Sequence, residues 1–483
     1  MPRSYLLPGR RRRVARRSVP FTLGMSLLLA APAASTSAAH AQSAPPVGAP
    51  LTEASLRALL DARIAVGRNP AIVAAQITRD GVVTAVAGRA GSPDGAPLSS
   101  STRFEIGSIT KAITGVLFAD AIARGEVRED ERLVEALPGL VLPEGGAQIT
   151  LLDLATHRSG LPSFPPGHMP ANPRDPWADV DSAAVARSLA GLRALQFTPG
   201  SRAEYSNVGA GLLGQVLVRR AGVRDFETLV RTRFAEPLGL GVFAVTESTA
   251  DRARFAQGHD DDGPSARWHL EYLAAAGAIL STLDDMVRVA RACLGDAPSP
   301  LAAHIAEAQR PRRDFPPHRV GLHWITTSTP SGDVHWHNGG TGGFRSFLGC
   351  NRATGRASVV LTNSTTGVDD LGLHLIDAAL PLRPPPARTV APTVAVAPEV
   401  LETLVGTYRL APTFAITITR DGDGLAAQAT NQPKLELLAE SATRWRVRGV
   451  EAVVEFERDA SGQVTALVLV QGGARQRGVR VPR

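Results

Sequence analysis

The sequence predicts a mixed α/β (α+β) fold followed by a small all-β unit. Three features carry this reading. Strand-like runs stand at both ends of the segment 52–380, with helix-like segments between them. That order implies one sheet assembled from distant pieces of chain and covered by helices. A proline-rich stretch, 381–398 ("PLRPPPARTVAPTVAVAP"), reads as a linker by composition. Beyond it, 399–483 holds only short strand-like runs, and no internal repeat is found.

In chain order, residues 1–41 read as a secretory signal peptide. They contain seven arginines and no acidic residue, an apolar run over about 19–34, and Ala39 and Ala41 at cleavage spacing. The apolar run is short for a membrane span. The mature chain is therefore expected in the periplasm or outside the cell, with no stable span once the leader is gone. Arg16-Arg17 leaves a twin-arginine export route open. "LTEASLRALLDARIAVG" predicts an amphipathic helix opened by Thr52. "AIVAAQITRDGVVTAVAG" predicts a hairpin turning at Asp80-Gly81. Residues 108–124 predict a helix that stops at Gly125. The middle predicts helices broken by Pro and Gly, clearest in "ITLLDLATHRSGLP" and "NVGAGLLGQVLVRRAG". Strands return in "VGLHWITT", "DVHWHNG", "FRSFLGC" and "ASVVLTN", and a helix near 367–380 closes this part. After the linker, "FAITITRDGDGLAAQAT" and "AVVEFERDASGQVTALVLVQ" predict hairpins with Asp-Gly or Ser-Gly turns.

The formal charge of +7 equals the seven leader arginines, so the remainder is neutral. This removes the electrostatic case for a nucleic-acid partner. Cys293 and Cys350 are the only cysteines. An exported chain could pair them, but spacing does not establish bridge geometry, and two buried free thiols are the simpler expectation.

Of the 52 Lys plus Arg, only Lys111 and Lys434 are lysines. Lys111 follows Ser108 at i+3, so both lie on one face of the predicted helix. A helix cap explains Ser108 alone. It does not explain a cation in the first turn, which opposes the helix dipole. Arginine would serve any surface role; what it cannot do is lose its proton. Ser108 and Lys111 therefore suggest a nucleophile with a removable-proton neighbour. Tyr205-Ser206-Asn207 precedes a predicted helix. A phenol near a lysine can relay protons, and an amide can bind a substrate amide. Taken alone, a loop tyrosine with an Asn cap is the simpler reading. His337-Asn338-Gly339-Gly340 ends a strand, where glycines allow close backbone approach. His335 and His337 share a strand face, but no third ligand stands at useful spacing, so neither metal nor other cofactor is expected.

Together these three elements resemble the serine β-lactamase and penicillin-binding peptidase superfamily. Within it the resemblance is to the class C branch of β-lactamases, D-alanyl-D-alanine carboxypeptidases and related esterases. S-x-x-K is matched by Ser108-Ile109-Thr110-Lys111, Y-x-N by Tyr205-Ser206-Asn207, and the third motif, K-T-G or H-x-G, by His337-Asn338-Gly339. "LLDLATHRSGLP", "EPLGLG", "GAILSTLDDMVRVA" and "GLHW" also look like this branch, and the resemblance covers about 52–380. It implies a β-lactamase-like serine hydrolase domain over 42–380, an antiparallel sheet flanked by helices plus an all-helical subdomain. It also implies acyl transfer to a small-molecule or peptide substrate: a β-lactam, a D-Ala-D-Ala peptide or an ester. Ser108 would attack, Lys111 would hold its proton, and Tyr205 would protonate the leaving group. Asn207 would orient the acyl side chain. Ser108 and Gly340 N–H groups would form the oxyanion hole, beside Gly339. His337, where robust β-lactamases of this branch carry Lys, would meet a substrate carboxylate or support Tyr205. Unit 399–483 resembles the lipocalin-like extensions of some such hydrolases, and no chemistry is assigned to it.

Overall fold

The computed structural model describes residues 50–482, apart from 92–94, 169, 173, 248–253, 262, 296–298, 386–392, 412–413, 431–433, 449–451 and 472–473. The expected signal peptide, 1–41, lies outside the described residues. Among those residues, no helix is long and apolar enough to cross a membrane.

Helix α1 (Glu53–Ala65) opens where the Thr52 hydroxyl accepts the Ser55 N–H. The hairpin follows as β1 (Ala71–Thr78) and β2 (Gly81–Gly88). Thr78 pairs with Gly81, so the turn is Arg79-Asp80, one residue earlier than expected. The short strand β3 (Arg103–Glu105) leads into α2 (Ile109–Ala123), which is buried along almost its whole length. A helical insertion carries α3 (Leu133–Ala136), α4 (Leu151–Ala155), α5 (Ser182–Ala190), α6 (Asn207–Ala221) and α7 (Phe226–Val230). "ITLLDLATHRSGLP" thus yields only the short α4, because His157 takes φ +57 and breaks the helix. A small hairpin, β4 (His259–Asp260) and β5 (Gly263–Pro264), comes next. Strand β6 (Leu280–Thr282) then pairs with β3. Helices α8 (Leu283–Leu294) and α9 (Ala302–Gln309) complete this part.

The remaining strands are β7 (Arg313–Phe315), β8 (His318–Val320), β9 (Ile325–Thr329), β10 (Gly332–Gly340), β11 (Arg345–Asn351) and β12 (Arg356–Thr362). "VGLHWITT" is not one strand: Gly321–Trp324 separate β8 from β9, and His323 takes φ +59. The antiparallel sheet runs β2-β1-β12-β11-β10-β9-β8-β7. Ile72 pairs with Thr362, closing first strand to last. Helix α10 (Asp369–Ile376) follows, shorter than the 367–380 expected.

The sheet is covered on both faces. Val73, Ala75 and Ile77 pack with α2 and α8, while Ile72 and Ala74 pack with Leu56 and Leu60 of α1 and Leu371 and Leu375 of α10. This explains why β1 reads as a continuous apolar run rather than an alternating one. Each fully buried leucine or isoleucine in these layers contributes about 1.5–3 kcal/mol.

After the linker stands an unexpected helix, α11 (Pro398–Leu404), with Pro at its first position, where the missing N–H costs nothing. Its Leu401 and Leu404 join the core of the following strands, and the Tyr408 hydroxyl donates to Leu404 O at 2.7 Å. Eight strands then form a closed barrel, from β13 (Gly406–Ala411) and β14 (Phe414–Asp421) through β15 (Gly424–Ala429), β16 (Lys434–Ala439) and β17 (Arg444–Val447) to β18 (Ala452–Arg458), β19 (Val464–Gln471) and β20 (Ala474–Arg480). β20 returns to β13 through Tyr408–Arg480, which leaves no open sheet edge. Cys293 and Cys350 are both buried and free.

Candidate active site

The Ile106-Gly107 turn between β3 and α2 sets the site. Gly107 has φ +51, and a Cβ there would lie 2.6 Å from Gly340 N. Glycine alone tolerates both the left-handed turn and that approach. A Cβ on Gly339 would lie 2.0 Å from Ile106 O. The end of β10 is therefore flush against the turn, with the Gly340 N–H beside Gly107-Ser108.

Ser108 occupies the cap position of α2, but its side chain makes no cap bond. Its Oγ lies 3.0 Å from Lys111 Nζ instead. Lys111 is fully buried, and Nζ also meets Asn207 Oδ1 at 2.7 Å and Ala276 O at 2.5 Å. Burial drives its pKa well below the ordinary 10.5, because desolvation penalises the ammonium form. A neutral amine has two N–H groups and one lone pair. Asn207 Oδ1 and the Ala276 carbonyl can only accept, so they take the two N–H groups. The ammonium form donates to Ser108 Oγ as well; once neutral, the amine has its lone pair left for the Ser108 hydroxyl.

Asn207 is the first residue of α6, and Ser206 is the cap, accepting Gly209 N–H at 2.8 Å. This frees the Asn207 amide to bridge Lys111 on one side and Ser163 Oγ, 3.0 Å away, on the other. The Tyr205 ring centroid is 4.8 Å from Lys111 Nζ. Its hydroxyl is buried and has no well-formed hydrogen bond. Burial raises its pKa, and Ser108 opposes that rise.

His337 is 1% exposed, and its Nδ1 donates to Asn338 O at 2.5 Å. Nδ1 therefore carries the proton and Nε2 is a buried acceptor without a partner. Burial, then Lys111, pushes its pKa down to about 3. His337 is neutral at pH 7 and offers no cation to a carboxylate. His335, two residues earlier on β10, is engaged by Thr326 Oγ1 at 3.0 Å instead.

The structure thus gathers Ser108, Lys111, Tyr205, Asn207, His337, Gly339 and Gly340 around one point. It adds residues that the sequence did not single out. His157 Nδ1 accepts the Ser206 N–H at 3.3 Å, and His157 O accepts the Glu204 N–H at 2.8 Å. Its ring lies 4.5 Å from that of Tyr205 and 4.9 Å from that of His323. One residue therefore holds the chain on both sides of Tyr205. Burial lowers the pKa values of His157 and His323 well below 6.5. Glu105, 4% exposed on β3, accepts the Trp268 N–H at 3.3 Å. Burial raises its pKa to about 7 against the opposing pull of Thr341, Arg267 and the Trp268 N–H. "LATHRSGLP" and "GLHW" were visible as motif flanks, but nothing local marks their histidines as neighbours of Tyr205.

Among the described residues, no group of three or more His, Cys, Asp or Glu is arranged to hold a metal ion. A buried serine–lysine pair between a helical insertion and an antiparallel sheet defines a β-lactamase-like protein. The chain belongs to the beta-lactamase family, whose pattern matches residues 56–380. It is a member of the serine β-lactamase and penicillin-binding protein superfamily. Residues 391–478 match a domain of unknown function, DUF3471. The chain is 32% identical over 199 residues to a beta-lactamase of Escherichia coli K12, covering 40% of this chain and 48% of that one. It is 26% identical over 344 residues to penicillin-binding protein 4 of Amycolatopsis lactamdurans, covering 65% and 86%. The match thus spans about half the length of the first relative. In fold it is similar to the beta-lactamase/D-alanine carboxypeptidase of Pseudomonas syringae, with TM-score 0.59 and 19% identity over 68% of this chain and 99% of that one.

Proposed function

We propose that the protein is an exported serine hydrolase that forms an acyl-enzyme on Ser108. It opens the amide bond of β-lactams or of D-Ala-D-Ala-type peptides. The observation that carries this is the Lys111 environment, two pure acceptors plus the Ser108 hydroxyl around one buried amine. Lys111 takes the Ser108 proton as Oγ attacks the carbonyl carbon. The Ser108 and Gly340 N–H groups stabilise the resulting oxyanion. Tyr205 carries the proton to the leaving nitrogen, which departs as an amine from a peptide and stays tethered in an opened β-lactam, and then helps activate the water that releases the acid. Asn207 orients the acyl chain. The names of the relatives, a beta-lactamase and a penicillin-binding protein, support this substrate class.

A second reading, a short-chain esterase on the same site, is favoured by His337. A neutral imidazole at that wall gives no charge-assisted bond to the carboxylate that β-lactams and D-Ala-D-Ala peptides carry. The test is to incubate the protein with a labelled penicillin, a D-Ala-D-Ala peptide and a short-chain ester, following adduct and product. Amide turnover supports the first reading, and ester turnover alone the second. A persistent adduct without turnover marks a penicillin-binding protein. No adduct and no product, with Ser108→Ala indistinguishable, ends the hydrolase reading. A periplasmic or secreted location is tested by N-terminal sequencing of the mature protein, expected to begin at Gln42.

A further inference from the structure

Two segments wall the candidate site. One is 161–180, whose Ser163 holds Asn207. Its Phe164 ring lies 4.7 Å from Trp177, which lies 6.5 Å from Trp268. The other is 258–269, described except at 262, which contains β4 and β5. His259 N–H donates to Gly343 O at 3.2 Å. Trp268 Nε1 would lie 2.5 Å from a Cβ on Gly342. This second wall therefore rests on the loop that leaves Gly340. Asp175 joins the two walls, accepting the His269 N–H at 2.9 Å and pairing with its ring at 2.6 Å.

The barrel grips both walls at one place. Arg174 of the first wall meets Glu436 of β16 at 2.6 Å. Glu436 meets Arg448 at 3.3 Å, and Arg448 reaches Asp260 of the second wall at 3.4 Å. The charges alternate, + − + −, across the two walls and the barrel. The Arg174 side chain is 54% exposed, so its pair is weakly held. Arg448 and Asp260 are only 15% and 14% exposed, so salt screens that contact far less. Asp421, beside the β14–β15 turn, also faces Arg174.

We propose that the C-terminal barrel is an outer wall of the active-site cleft that limits the substrate to a small molecule or a single short peptide and excludes cross-linked polymer. The proposal rests on the serine-hydrolase reading. Its physical basis is that Arg448 and Glu436 add a barrel-borne tie between two segments that otherwise meet only through Asp175–His269 and the Trp177 and Trp268 rings. Ser163 of the first segment bonds Asn207, and Trp268 of the second packs on Gly342, two residues beyond Gly340. A wide acyl donor needs those segments separated. The bridge holds them at a fixed spacing.

The test compares two forms of a fluorophosphonate probe, free and coupled to dextran, on the full chain. In the native protein the free probe labels Ser108 and the dextran form reacts far more slowly. Arg448→Glu places three acids together and breaks the bridge. Asp260→Arg breaks it from the catalytic side, leaving the barrel sequence untouched. Each raises the dextran-to-free rate ratio about tenfold, with the free rate within about twofold of native. Glu457→Arg, which breaks the Arg477–Glu457 pair within the barrel, leaves the ratio unchanged. A native dextran rate equal to the free rate overturns the barrel's role alone. So does a ratio unmoved by both bridge variants, or moved equally by Glu457→Arg. Failure of the free probe to label Ser108 overturns the hydrolase reading and this proposal with it.

Discussion

Replacing Lys111 with arginine tests the central chemistry most directly, because the chain writes arginine at nearly every other basic position. The site offers three acceptors, Ser108 Oγ, Asn207 Oδ1 and Ala276 O, in a fully buried position. A guanidinium brings five N–H donors and keeps its charge. At least two donors are then buried without partners, at about 1–3 kcal/mol each. Lys111→Arg should therefore destabilise the fold by about 2–6 kcal/mol, read from the urea midpoint. Loss of the removable proton should slow acylation by about 10²–10⁴-fold, or roughly 3–5 kcal/mol of barrier. Mass-spectrometric timing of the acyl adduct on Ser108 measures that rate. In the native protein the same rate should rise with pH to a plateau, with an apparent pKa below 10.5, since burial lowers that of Lys111. A Lys111→Arg protein that acylates within about tenfold of native would refute the general-base argument.

Three more outcomes are expected. Gly107→Ala forces an L-residue to φ +51 with its Cβ 2.6 Å from Gly340 N, and should cost about 1–3 kcal/mol with a larger loss of kcat than of KM. His157→Ala removes the acceptor for Ser206 N–H and the ring beside Tyr205, lowering turnover about tenfold or more while His157→Asn recovers part of it. Glu105, with its pKa raised from 4.5 to about 7, binds its proton more tightly in the folded state, so its cost to stability grows as pH rises from 4.5 to 7 and persists above. Glu105→Gln should therefore gain on native by about 3 kcal/mol between pH 4.5 and pH 8, and parallel urea stability curves would exclude this.

The sequence made the site's skeleton legible because its motifs are short and local. Ser108 and Lys111 are one helical turn apart, and Tyr205 and Asn207 flank a helix cap. What it concealed depends on contacts made elsewhere. His157 and His323 adopt left-handed backbone conformations, which are uncommon for any residue with a side chain, so the local pattern around each still reads as regular helix or strand. β1 was legible as a strand, but only the pairing of Ile72 with Thr362 reveals that it lies inside a sheet. α11 hid behind proline-rich composition, although Pro398 is where a helix accepts proline. The barrel's hairpins were visible one by one. Its closure, β13 on β20, joins residues too far apart for any local signal.

The pairing of β1 with β12 also orders events in time. On a growing chain, Ser108 and Lys111 are made early, while His337 and Gly340 are made late, and β12 later still. β1 can find its central partner only when residue 362 has emerged. Contacts this distant in sequence make folding slow. An incomplete chain accordingly carries Ser108 and Lys111 but no β10 to set against them. Hydrolytic competence then appears only with the finished domain, and the cell that makes this protein meets it first as an inert thread.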